Sequence, residues 1–297
     1  MPKKLETVSI VKVGSKIEEA VIEALSLIEA NNIFDKRRRI LIKPNLVRIS
    51  YPGSGIITDY RVVRGVLEYL KENSLTDIII GESSGKLTRY TLHAYKAGKY
   101  EKLGVPLIDL NNDEYQKASL GDIEVKISKL ALDSDYIINI PVIKCHHRAR
   151  VSISMKNLMG CLIGGSSKNN MHKEHYDGMP KNDFLEFEKK FAKRLINLNK
   201  IVKTDLVVVD GTVGREIERD GPKVYLGLII SGTNRVAVDA TCCRLIGIDP
   251  YSVFYLKEAE REGLGPVYEG DIGVVGESIN TVKKTFREKK FWRELKR

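Results

Sequence analysis

Short β-branched runs alternate along this chain with stretches of helical period. Residues 8–13 read as a strand, and residues 15–31 follow as a helix with Ser15 and Glu18 at capping-box spacing. The apolar run 40–42 leads into Lys43-Pro44-Asn45, and residues 59–72 have helical period. A strand over 77–80 ends at Gly81-Glu82-Ser83-Ser84-Gly85; a helix over 92–103 and a strand over 105–110 come next. Strand and helix in this alternation predict crossover units and a largely parallel sheet.

The middle of the chain changes character. Residues 123–127 alternate as a half-buried antiparallel strand does, whereas 136–143 are almost continuously apolar, as in a strand covered on both faces. That run delivers the chain into Lys144-Cys145-His146-His147. A helix is expected over 153–162, then a loop of about nineteen residues rich in Gly, Ser, Asn and His, a length usually reserved for functional segments. Residues 184–202 read as a helix, 206–209 as a strand ending at Asp210-Gly211, and 225–230 as a further strand. Helices over 236–246 and 250–262, the latter opened by Asp249-Pro250, precede a closing strand at 272–275. The fold class is therefore α/β: a mainly parallel sheet with flanking helices. With no internal repeat or low-complexity linker, residues 1–280 read as a single domain, with closely packed lobes 1–150 and 151–280 as a finer division, followed by a basic tail, 281–297.

Composition narrows the function classes. The 297 residues are 42% hydrophobic and 30% charged, which suits a globular chain with a sizeable core. No run of about 20 apolar residues is present to span a bilayer, and the first residues form no apolar signal region, so a cytoplasmic protein is expected. Four cysteines without a Cys-x-x-Cys pair supply neither a disulfide framework nor an iron-sulfur cluster in this chain. Of the net charge of +10, the tail carries eight Lys or Arg against Glu288 and Glu294, leaving only +4 for the rest. Its Phe286, Phe291 and Trp292 either fold back on the body or join the basic residues in touching a partner. Nucleic acid ranks last among partners because no recognition motif accompanies the charge.

Ligands of open parallel sheets bind beyond the carboxyl ends of the strands, so polar residues directly after apolar runs carry positional information. Four such places stand out: Lys43 and Asn45, Glu82 and Ser83, Lys144 and His146, and Asp210. The densest stretch runs from Lys144 through His146 to Lys156 and Asn157, with cations, an imidazole, hydroxyls and an amide, and Gly160 just beyond. Buried cations are rarely kept without a partner, so these residues point to a small anionic ligand or a phosphate-bearing cofactor. His146 and Lys144 are the catalytic candidates, and Lys43, Asn45, Glu82, Ser83, Lys156 and Asn157 the ligand-binding ones. Asp210, Glu218 and Asp239 could hold a divalent metal, as could His172 and His175 with Asp177 nearby. Cys145 beside Lys144 is a candidate reactive thiol, while Cys242 and Cys243 read as core filling.

At these residues the chain resembles the domain-of-unknown-function-362 family of archaeal and bacterial proteins, often linked to ferredoxin-type iron-sulfur modules. The marks are Lys43-Pro44-Asn45, Gly81-Glu82-Ser83, Lys144-Cys145-His146, Lys156-Asn157 to Gly160, Asp210-Gly211 with Gly221-Pro222, and Val238-Asp239 before Gly247-Ile248-Asp249-Pro250. They keep one order over about 210 residues. The resemblance implies an α/β fold and a shared pocket, and assigns no reaction. Two departures are visible: the iron-sulfur module is absent, and Glu218-Arg219 stands where a Glu-Gly step is usual, on a slightly lengthened loop, which would make the pocket more cation-lined. A distant similarity to the lactate racemase N-terminal domain, whose nickel-pincer cofactor hangs from a lysine, keeps a tethered-cofactor role open for Lys144 or Lys156. The leading expectation is an enzyme for a small anionic metabolite, with metal assistance open; the alternative is an accessory protein that docks with a ferredoxin-type partner in trans.

Overall fold

A computed structural model describes residues 5–35, 38–85, 90–175, 179–218, 220–290 and 292. Strand β1 (Glu6–Lys12), helix α1 (Ile17–Leu27), β2 (Ile40–Pro44), α2 (Tyr60–Glu72), β3 (Ile78–Glu82), α3 (Tyr90–Ala97) and β4 (Leu107–Asp109) form the expected alternation. Then come the hairpin β5 (Tyr115–Ser119) and β6 (Glu124–Ser128), the turn of helix α4 (Lys129–Asp133), and strands β7 (Tyr136–Ile140), β8 (Val142–His146) and β9 (Arg150–Ser152). Short helices α5 (Ser154–Asn157) and α6 (Gly164–Asn170) precede the long α7 (Lys181–Ile201). The chain closes through β10 (Leu206–Arg215), β11 (Lys223–Gly232), α8 (Arg235–Leu245), α9 (Phe254–Arg261), β12 (Ile272–Gly276) and α10 (Ile279–Val282).

One sheet runs β12-β1-β11-β10-β7-β2-β3-β4, with β8 added to β10 and β9 to β8. It is mixed: most pairings are parallel, but β11 runs antiparallel to both β1 and β10, and β9 antiparallel to β8. Strands from the second half of the chain therefore lie between β1 and β7 of the first half, and two lobes are not seen. What divides in two is the core. Alternation along β2 sends Ile40 and Ile42 to one face, where Val21, Val66 and Tyr95 of α1, α2 and α3 cover them. Leu41 goes to the other face, with Phe191, Cys242 and Leu256 of α7, α8 and α9. The result is a three-layer body.

Local departures from the sequence reading have physical causes. Helix α1 starts at Ile17 with Lys16 as its cap and no side-chain cap bond; Glu18, instead of closing a capping box with Ser15, accepts from Arg64 Nε of α2 at 2.7 Å. Gly65 lets those helices touch, since a Cβ there would sit 2.8 Å from Val21 Cβ. Pro141, which has no N–H for the ladder, splits the run 136–143 into β7 and β8. The helix expected over 153–162 is only α5 followed by a 3-10 turn over Leu158–Cys161, and the loop after Gly164 contains α6. Helix α6, of sequence Gly-Gly-Ser-Ser-Lys-Asn-Asn, has no apolar period and is held by outside contacts, among them Lys126 N donating to Ser167 Oγ at 3.1 Å. Behind it, the fully buried Arg194 of α7 binds Asp122 of the hairpin loop at 2.5 Å and Glu174 at 2.6 Å. In the tail, Phe286 and Trp292 are buried, Glu288 binds Arg150 at 2.6 Å, and Arg287 O accepts from Ile217 N at 2.6 Å. The described part of the tail is thus folded back on the body; Phe291 and residues 293–297 lie outside the described residues, as do Arg219 and Asp177.

Candidate functional site

Beyond the carboxyl ends of β2 and β3 lies a cleft of about 410 Å3. Its lining includes Asn45, Glu82, Ser83, Lys144, His146, Lys156, Asn157 and His172, so most of the sequence candidates come together there. The break at Pro141 is what carries β8 past the parallel sheet: Lys144 and His146 lie within this strand, not after it, paired to Ser152 and Arg150 of β9.

The floor is a buried ion pair. Lys43 has no exposed surface, and its Nζ donates to Glu82 Oε2 at 2.7 Å and to its neighbour's carbonyl, Pro44 O, at 2.8 Å. Lys43 thus supports the cleft from beneath instead of lining it. The Glu82 carboxylate also accepts from Leu46 N at 3.2 Å and Ser83 N at 2.8 Å, which compensates much of the cost of burying it. Gly160 lies directly over the pair, where a Cβ would stand 2.5 Å from Lys43 Nζ. Only a residue without a side chain fits there. Ser83 Oγ, 2.7 Å from Gly160 O and 2.8 Å from Leu162 O, fastens that turn to the end of β3.

The walls are fixed with equal care. Lys144, almost fully buried, donates to Ile56 O at 2.8 Å, the same carbonyl that accepts from Asn45 Nδ2 at 2.7 Å. Asn157 Nδ2 donates to Asn139 Oδ1 at 2.7 Å, tying α5 to β7. His146 Nδ1 accepts from Arg148 N at 3.1 Å, so in the neutral ring the proton sits on Nε2. His146 stacks between His147 at 4.9 Å and His172 at 5.9 Å, and His172 stacks on Phe191 at 4.8 Å. Burial, with Lys156 and Arg148 adding to it, pushes His172 well below the usual histidine range and keeps it neutral.

The carboxylates read as metal candidates stand in three separate places. Asp210 Oδ2 accepts from Asp59 N at 2.8 Å and its Oδ1 from Thr212 Oγ1 at 2.6 Å, joining β10 to the start of α2. Burial, then the charge of Asp59, pushes its carboxyl up to about 6. Asp239 on α8 accepts from Ser154 N at 2.8 Å, Ser154 Oγ at 2.5 Å and Met155 N at 3.1 Å, and so caps the helix that carries Lys156 and Asn157. Burial raises Asp239 to about 7 against the pull of those hydrogen bonds. Glu218 is at the surface, 3.8 Å from Lys289. His175 packs on Phe187 at 5.2 Å and does not line the cleft. Among the described residues, no three His, Cys, Asp or Glu side chains gather as a metal-ligating set. Nor is Cys145 poised for reaction: burial pushes its thiol up to about 12.

Sequence reading missed Lys168, which lines the cleft, and gave no role to Arg148 and His147, which lie in its densest stretch and line the cleft too. Lys168, on α6, donates to Ser83 O and, at 3.3 Å, to Gly85 O. Desolvation lowers its ammonium to about 8. The signal for it was slight: one lysine inside a Gly, Ser and Asn stretch of unusual length.

The chain's relatives match this region. The family model for a domain of unknown function, DUF362, matches residues 40–244. A thylakoid-associated protein of Synechocystis sp. is 27% identical over 232 residues, which cover 77% of this chain and 69% of that protein. A structure of the lactate racemase apoprotein from Thermoanaerobacterium thermosaccharolyticum is similar in fold, with a TM-score of 0.50 at 14% identity over 82% of this chain; the match takes in 57% of the racemase chain. No described helix is long and apolar enough to cross a membrane. Since the family match runs from β2 almost to the end of α8 and takes in every lining residue of the cleft, the chain belongs to the DUF362 family.

Proposed function

We propose that the cleft is the active site of an enzyme acting on a small anionic metabolite. The observation that carries this reading is the cleft's charge: Lys144, Arg148, Lys156 and Lys168 line it, and its one lining carboxylate among the described residues, Glu82, is bonded to Lys43. Cations gathered at a part-buried site favour negative charge on whatever binds, and the more so where water is excluded. The racemase that shares the fold is named for a small hydroxy acid, a ligand class that suits such a cleft.

In this reading Lys144 and Lys156 hold the anionic group, and Asn45 and Asn157, each fixed by its own amide, shape the place it occupies. His146 presents Nε2–H to the ligand: with Nδ1 occupied by Arg148 N, the neutral ring donates a hydrogen bond that stabilises negative charge developing on the bound molecule. Asp210 and Asp239 serve as buried ties between elements and touch no ligand. The test is titration calorimetry with a panel of small carboxylates and phosphates, followed by turnover assays on those that bind. Lys156→Ala should weaken binding about 10- to 100-fold, the value of a lost charge-assisted bond. His146→Ala should abolish turnover with the fold intact. An affinity unchanged by Lys156→Ala, or a rate unchanged by His146→Ala, would refute the corresponding role.

A further inference from the structure

Lys168 differs from the floor lysine in one respect that decides what the cleft takes. Lys43 is neutralised by Glu82, whereas Lys168 has no carboxylate within ion-pair distance among the described residues. Its ammonium is bonded to two carbonyls, Ser83 O and Gly85 O, so one of its three N–H donors remains. A part-buried cation bonded only to carbonyls, with Glu82 acting on it from beyond ion-pair distance and already paired to Lys43, is incompletely compensated, and a ligand in the cleft is placed to complete it. The other lining cations come from other elements. Lys144, Arg148 and Lys156 belong to the stretch from β8 to α5, and Lys144 is anchored on Ile56 O beside Asn45. Lys168 enters from α6 and is anchored at the end of β3. A ligand whose one negative group is held by Lys144 and Lys156 leaves Lys168 with its two carbonyls alone.

Building on the anion-cleft reading, we infer that the ligand is a small molecule with two separate negative groups, a dicarboxylate or a phospho-acid, and that Lys168 binds the second of them. Lys168 is then a specificity residue: it separates double-ended anions from single-ended ones of the same size.

The experiment compares matched pairs by titration calorimetry at pH 7: succinate against succinamate, and phosphoglycolate against phosphoglycolamide. In the wild-type chain the double-ended member of at least one pair should bind about 10- to 100-fold more tightly, and which pair responds tells dicarboxylate from phospho-acid. Lys168→Met should bring that ratio close to one, and Lys168→Arg should restore most of it. Thermal melts establish that the variants fold, with Lys168→Gln taking the place of Lys168→Met should that variant fail to do so. Equal binding of both members of each pair by the wild type, or a ratio that survives loss of the Lys168 charge, overturns the inference and leaves the anion-cleft reading standing. Failure of all four compounds to bind at millimolar concentration overturns both.

Discussion

Replacing Lys43 by Met is the sharpest test of how the cleft is built. Met keeps most of the volume and the unbranched stem but removes the ammonium, so Glu82, 3% exposed, keeps its bonds from Leu46 N and Ser83 N and loses its only bonded cation among the described residues. Breaking a buried pair from one side costs about 3 to 5 kcal/mol, because the remaining charge has no counter-ion. At roughly 2.1 cal/mol/K per residue, the unfolding entropy of a 297-residue chain is about 0.6 kcal/mol/K. Lys43→Met should therefore lower Tm by about 5 to 8 °C, measured by circular dichroism at neutral pH. The double variant Lys43→Met, Glu82→Gln removes both charges and should recover more than half of the loss. A drop of less than about 2 °C, or a double variant less stable than the single one, would show that the pair does not hold the floor together.

Two further outcomes test the same architecture. Gly160→Ala puts a methyl group 2.5 Å from Lys43 Nζ and 2.7 Å from Lys43 Cε; with both partners locked in their pair, it should cost about 1 to 3 kcal/mol and weaken anion binding, read by thermal melts and calorimetry. Asp239→Asn should test the cap on α5 through its pH dependence. The folded chain holds the Asp239 proton up to about 7 against an ordinary 3.8, so between those values it binds more protons than the unfolded chain. This group's contribution is therefore fully present below about pH 4, declines through that window and is lost above about 7. Subtracting the variant's stability from that of the wild type across pH 4 to 8, by urea melts, should give that decline; a flat difference would refute it.

Much of this arrangement was legible in the sequence because two rules act at short range. Apolar runs mark strands, and polar residues at their ends mark the ligand edge, which finds Asn45, Glu82 and Ser83; Lys144 and His146, within β8, and Lys156 and Asn157, on α5, reach the same cleft from the polar stretch that follows the most apolar run. What was not legible depends on contacts distant along the chain. Helix α6 has no period to announce it, and its Lys168 gains its place only because Ser83 O and Gly85 O, more than eighty residues earlier, wait for it. Asp210 and Asp239 look like ligands in sequence because nothing local distinguishes a carboxylate facing a metal from one facing backbone amides of another element. Likewise, the place of β10 and β11 between β1 and β7 is set by long-range pairing that no window of residues contains.

The clasp of Arg194 on Asp122 and Glu174 bears on how the cleft selects its ligand. Residues 171–174 carry His172 to the stack on His146, and Arg194 also reaches Met171 O at 3.4 Å. Swinging that side aside would take Glu174 from a guanidinium with no exposed surface and leave it Asp122 as its one carboxylate partner among the described residues, which opposes the move. The histidine flank is accordingly braced from behind, which favours a molecule whose outline matches the wall it already presents.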